Sequence, residues 1–75
     1  MRLDELQKGQ KAKIISIDAS KTLIDRFHSF GILPQEIVEC KAHSLAKQTI
    51  EIEVEHTLVA LRNEEAHRIE VELID

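Results

Sequence analysis

The sequence predicts a mainly β chain: a small five-stranded antiparallel barrel capped by one α-helix. Three observations lead to it. Short segments alternate apolar and polar residues along much of the chain, most cleanly in Thr49–Glu55 and Ile69–Leu73. One stretch carries apolar residues at helical spacing, through Leu23, Ile24, Phe27 and Phe30. Five short strands in 75 residues would leave edges exposed as a flat sheet, and curling the last strand onto the first removes them.

Taken in order, Leu3–Leu6 can form one helical turn before Lys8-Gly9-Gln10. Lys11–Ile17 then reads as a strand, because Ile14, Ile15 and Ile17 favour extended backbone. Its alternation is imperfect, since Ile14 and Ile15 are adjacent. Asp18 or Ser20 can cap the helix with a side-chain oxygen. Its stripe is predicted to set Phe27 and Phe30 against the barrel. Gly31 falls where a helix takes a left-handed residue, Ile32 should fold back onto Phe27, and Pro34 starts the next segment. Glu36–Ala42 places Val38, Cys40 and Ala42 on one strand face. A loop over residues 43–48 joins it to Thr49–Glu55, and a tight hairpin leads into Thr57–Leu61. Asn63 is expected to cap a turn over Glu64–His67, and Ile69–Leu73 is the last strand. Pairing of the first and last strands should bring Glu70 and Glu72 near Lys11 and Lys13.

Composition narrows the function. Apolar residues make up 43% and charged residues 32%, ordinary for a folded chain, and the length fits one domain over residues 1–75. The formal net charge is −4, and the aromatics are two phenylalanines. Nucleic-acid binders show a basic stripe or stacking aromatics, so no nucleic-acid partner is expected. No apolar run reaches transmembrane length and MRLDELQKGQ lacks the core of a signal peptide, so a complete cytoplasmic product with no membrane insertion is expected.

No catalytic constellation is evident, and neither an enzyme nor a cofactor is expected. Cys40, the one cysteine, shares the inward face of its strand and reads as a buried, inert thiol. Gly9 and Gly31 stand alone, with no glycine-rich phosphate loop. Glu51, Glu53 and Glu55 share an outward face and read as solvated surface. No histidine pair has zinc-ligand spacing; a metal site assembled across the fold would use His43 and His56, both weak candidates. What remains is surface. Leu33 and Leu45 are apolar residues in loops, beside Arg26 and His43, and these four are the partner-binding candidates.

The residues also carry a family resemblance. Met1-Arg2-Leu3-x-Glu5-Leu6, followed by Lys8–Ala12, resembles the opening of FeoA-type proteins. Phe30–Pro34 is similar to that family's L-G-[IL]-x-P-G signature. Ile50-x-Ile52-x-Val54, Leu58–Arg62 with Glu64–Ala66, and Ile69–Val71 resemble its C-terminal half. The chain departs from the pattern at Gln35 and His56, where the family has glycine, and at Ser44–Gln48, where it has P-L-G-x-P. The resemblance implies an SH3-like barrel and a cytosolic accessory role in bacterial ferrous-iron uptake. The implied partner is the FeoB membrane transporter, through its cytoplasmic GTP-binding domain. Any self-association is expected to be weak. The alternative is a stand-alone metal-binding or metal-sensing SH3-like domain, similar to the C-terminal domain of DtxR-type repressors.

Overall fold

The computed structural model describes residues 1–74. A 3₁₀ turn, Leu3–Glu5, precedes β1 (Lys11–Ile17), α1 (Lys21–Ser29), β2 (Ile37–His43), β3 (Thr49–Val54), β4 (Thr57–Arg62), α2 (Asn63–Ala66) and β5 (Ile69–Ile74). All five strands form one antiparallel sheet in the order β4-β3-β2-β1-β5. The first and last strands pair as the sequence predicts. β4 and β5 stay at the two ends of the order. The N-terminus covers part of the β5 edge: Arg2 bridges Glu70, and the Val71 N–H donates to the Met1 carbonyl at 2.8 Å. Edge groups that would otherwise stay open are thereby paired.

Side chains from every strand, the 3₁₀ turn and α1 meet in one core. Leu3, Leu6, Ile14, Phe27, Ile32, Val38, Cys40, Ile50, Ile52, Leu61 and Ile69 are all buried in it. The adjacency of Ile14 and Ile15 is resolved by a bulge: Ile14 opposes Val71 but Ser16 opposes Glu70, so Ile15 is the extra residue and faces out. A second irregularity lies between Cys40 and Ala42 in β2.

Ser20 caps α1, its Oγ accepting from the Leu23 N–H at 3.2 Å. At the other end the Ile32 N–H donates to the Phe27 carbonyl at 2.9 Å and the Gly31 N–H to the His28 carbonyl at 3.0 Å. These two bonds, with Gly31 at φ +84°, form a Schellman ending, and Ile32 joins Phe27 in the core. Phe30 differs from the sequence expectation. As the C-cap it has left the helical stripe, and its ring turns outward, 5.9 Å from the Arg26 guanidinium. Next comes a β-turn: the Glu36 N–H donates to the Leu33 carbonyl at 3.1 Å, with Pro34 second and Gln35 third at φ +79°. That is type II geometry, which favours glycine at the third position. The β3–β4 hairpin turns on Glu55 (φ +51°) and His56 (φ +66°), and two positive angles in a two-residue loop make it type I′.

Two further expectations are corrected. Asn63 is the first residue of α2, not its cap; Arg62 holds that place, and its N–H donates to Glu65 Oε1 at 3.1 Å. Lys13 does oppose Glu72, but Lys11 opposes Ile74, and Glu70 instead bonds the Met1 amino group at 2.8 Å and lies 3.5 Å from Arg2 Nε.

Candidate docking site

The loop between β2 and β3 is built around Ser44. Its Oγ accepts from the Gln48 N–H at 3.0 Å and the Thr49 N–H at 3.2 Å. Its backbone closes the same turn: the Ser44 N–H donates to the Thr49 carbonyl at 3.0 Å, and the Lys47 N–H to the Ser44 carbonyl at 2.9 Å. Asn63 ties the far side down, with Nδ2 donating to the Lys47 carbonyl at 2.5 Å and its own N–H to the Gln48 carbonyl at 2.9 Å. Lys47 is thereby held in the left-handed region at φ +54°. This frame carries Leu45 at its tip, fully exposed at 107% of its reference area. Bonds on both flanks hold the loop, so its leucine is presented by ordered backbone.

His43, the last residue of β2, stands beside this loop. A carbonyl only accepts, so the 2.7 Å contact with the Leu6 carbonyl makes Nε2 the protonated nitrogen. Its Nδ1 is buried without a donor, as is Oδ1 of Asn63. Both residues line a cleft of about 470 Å³ with Asp4, Leu6, Lys8 and Lys47. A second, open cleft of about 580 Å³ adjoins it, lined by Lys47, Gln48, Thr49, Arg62, Asn63 and Glu64.

The other proposed site residues lie elsewhere. Leu33 sits in the turn before β2 and Leu45 in the loop after it, so about 20 Å of strand separates them. Leu33 is 38% exposed. Arg26 is engaged within the fold: its guanidinium bonds Glu65 Oε2 at 2.5 Å, which fastens α1 to α2. His56 lies in the β3–β4 turn, at the opposite end of β3 from His43, so one ion cannot join the two. Among the described residues no group of three His, Cys, Asp or Glu is placed to hold a metal. Cys40 is buried in the core, and burial pushes its thiol up from the ordinary range.

Charge is organised differently at the two ends of β2. At its start, Glu36 and Glu55 face one another. A hydrogen bond to Glu55, and then the charge of Glu55, raise the pKa of Glu36 above its usual 4.5. Glu55 Oε2 would lie 3.2 Å from a Cβ placed on Gly31, so that glycine serves a close approach as well as the helix ending. In mid-strand, Lys41 Nζ lies 3.2 Å from both Glu39 and Glu53, whose hydrogen bonds raise its pKa. At the end of β2, the cations Lys47 and Arg62 gather in one cleft, a feature that spacing along the chain does not show. The signal is the register, in which Thr49 opposes Arg62.

Residues 1–73 match the FeoA domain family. The chain belongs to the FeoA family. A Campylobacter jejuni protein with the provisional name Fe(2+) transport protein A is 42% identical over 74 residues, covering 99% of this chain and all of that one. Among solved structures, FeoA from Chlorobium tepidum superposes with a TM-score of 0.94 at 24% identity, covering all of this chain and 71% of the other. The zinc-complexed FeoA of Stenotrophomonas maltophilia, described as an SH3 domain protein, gives 0.84 at 28% identity, with 96% and 89% covered. A manganese-dependent transcriptional repressor also matches, with a TM-score of 0.89 over 99% of this chain and 36% of its own, but at 21% identity this likeness shows the fold alone. The SH3-like, mainly β fold and the connection to ferrous-iron transport therefore agree with the sequence reading. No helix of the described residues is long and apolar enough to cross a membrane.

Proposed function

We propose that this FeoA-family chain is a non-enzymatic, cytoplasmic accessory protein of ferrous-iron uptake that docks on the cytoplasmic GTP-binding part of a FeoB-type transporter. The observation that carries this reading is the fully exposed Leu45 on a loop locked by Ser44 and Asn63. A bare leucine held in ordered backbone gains little within this chain. In an interface it supplies an apolar anchor whose ordering cost is already met. His43 lies against the same loop and belongs to this face. Leu33 and Arg26 belong to the other parts of the fold described above.

Family membership and the relative named for Fe(2+) transport support the pathway. Nothing in the geometry favours the metal-sensing alternative over docking. Isothermal titration of the full chain into the transporter's isolated cytoplasmic domain tests the reading. A saturable one-to-one heat is expected; no heat with or without guanine nucleotide would overturn it.

A further inference from the structure

The cleft beside Leu45 has a charge of its own. Lys47 and Arg62 line it together with the Gln48 and Thr49 side of β3. Lys47 takes part in no ion pair among the described residues. Arg62 has one, at 3.9 Å from Glu64 Oε1, and both side chains are about three-quarters exposed (75% and 78%). Such a pair is worth little in water. With Glu64 included, the wall still carries a net positive charge, on a chain whose formal charge is −4. Four other cations are paired within the fold: Lys41 with Glu39 and Glu53, Arg26 with Glu65, Arg2 with Glu70, and Lys21 with Asp25. Lys11 and Lys13 on β1, like Lys47, take part in no ion pair among the described residues.

The placement is also fixed by the backbone. Lys47 is held at φ +54° by the Asn63 amide, and Arg62 stands at the strand end directly before Asn63. Asn63 therefore holds Lys47 and the loop that displays Leu45, while the end of β4 sets Arg62 beside them.

We infer that the Leu45 loop and the Lys47–Arg62 cleft form one docking device for an acidic polypeptide segment, an apolar socket receiving Leu45 and an adjacent carboxylate entering the cleft. This rests on the docking function proposed above and adds the chemistry of the partner surface. Carboxylate is the ligand class because a planar anion can engage a guanidinium side-on while the lysine adds a point charge. The polar Gln48 and Thr49 can complete the hydrogen bonding at the rim. Glu64, beside Arg62, repels a second anion and so favours a single carboxylate over a dense acidic cluster. Charges at the rim of an interface act chiefly on association rate and on its salt dependence, whereas the apolar anchor governs dissociation.

The test measures association and dissociation rates of the full chain with the transporter's cytoplasmic domain at low and high salt. The variants are Lys47→Gln with Arg62→Gln, Lys47→Glu with Arg62→Glu, and Leu45→Asp. The charge-neutral pair should lower the association rate about tenfold at low salt and flatten its salt dependence. The charge-reversed pair should invert the salt dependence, so that added salt speeds association. Circular dichroism should be unchanged in both, because each side chain is solvent-facing. If Leu45→Asp weakens binding while both charge variants associate like the parent at every salt concentration, the acidic-segment inference fails and the docking function stands. If the parent chain does not bind at all, the docking function itself has failed. If guanine nucleotide or inorganic phosphate alone competes for the cleft and shifts the Lys47 and Arg62 amide resonances, the ligand is a phosphate and the carboxylate assignment is overturned.

Discussion

The two ends of β2 treat apolar loop residues in opposite ways. Before the strand, Ile32 folds into the core, Leu33 is held in a type II turn, and Phe30 lies against Arg26, which is itself fastened to Glu65. After the strand, Ser44 and Asn63 spend their hydrogen bonds on holding Leu45 away from everything. Backbone bonding is dense at both ends. The difference is where the side chain goes: the first end seats Ile32 in the core and leaves Leu33 and Phe30 only part-exposed, while the second displays Leu45 entirely. Exposure alone is therefore a weak guide to a docking residue, and exposure on a locked loop is a stronger one.

Breaking the closed end should have the largest effect. Phe27 is wholly buried under the helix ending, and Phe27→Ala should cost about 3–5 kcal/mol in urea denaturation, a large share of the stability of so small a domain. Loosening the open end should cost less. Asn63→Ala removes the bond to the Lys47 carbonyl and should cost about 1 kcal/mol, with amide exchange rising at Lys47, Gln48 and Thr49 but not at the helix ending.

A smaller and opposite effect is expected at Gln35. A left-handed non-glycine residue is strained by roughly 1–2 kcal/mol, and glycine returns roughly 0.5–1 kcal/mol of that as chain entropy. Gln35→Gly should therefore stabilise the protein by about 0.5 kcal/mol, read as a higher denaturation midpoint. The smallest effect belongs to Glu36. Its pKa is raised above 4.5 in the fold, so the folded chain holds its proton to higher pH than the unfolded chain does. The stability it contributes is present at low pH and lost as pH rises from about 4.5 through the folded value. Glu36→Gln should remove that loss, leaving a flatter stability profile above pH 4.5, with the acid-side loss from Glu70 intact because that carboxyl is shifted down. The Glu70 contribution runs the other way, present at neutral pH and lost as pH falls below 4.5.

The closed end was far more legible in the sequence than the open one. Local signals suffice there: the helical stripe through Phe27, the glycine that ends the helix, and the proline that starts the turn all act within a few residues. The clean alternation of Thr49–Val54 placed β3 for the same reason. What escaped were long-range consequences. Arg26 meets Glu65 across 39 residues, and no local pattern announces that pair. The bulge at Ile15 appears as a flaw in alternation until its pairing with β5 is known. Glycine is the usual mark of a left-handed turn, so Gln35 and His56 concealed two such positions. Asn63 has the residue type of a cap, yet its side chain serves a neighbouring loop, because the register of β3 and β4 brings Lys47 beside it. Leu45 was visible as a candidate; that its loop is ordered was not.

The contrast between the two ends is tested most directly by comparing Leu45→Asp with Leu33→Asp in equilibrium binding to the transporter's cytoplasmic domain. Leu45→Asp should weaken binding by about thirtyfold, as expected for the loss of a buried anchor worth about 2 kcal/mol, while Leu33→Asp leaves the dissociation constant within about a factor of two. Parent-like binding by Leu45→Asp, or a larger loss from Leu33→Asp, would contradict the assignment of the open end as the docking surface.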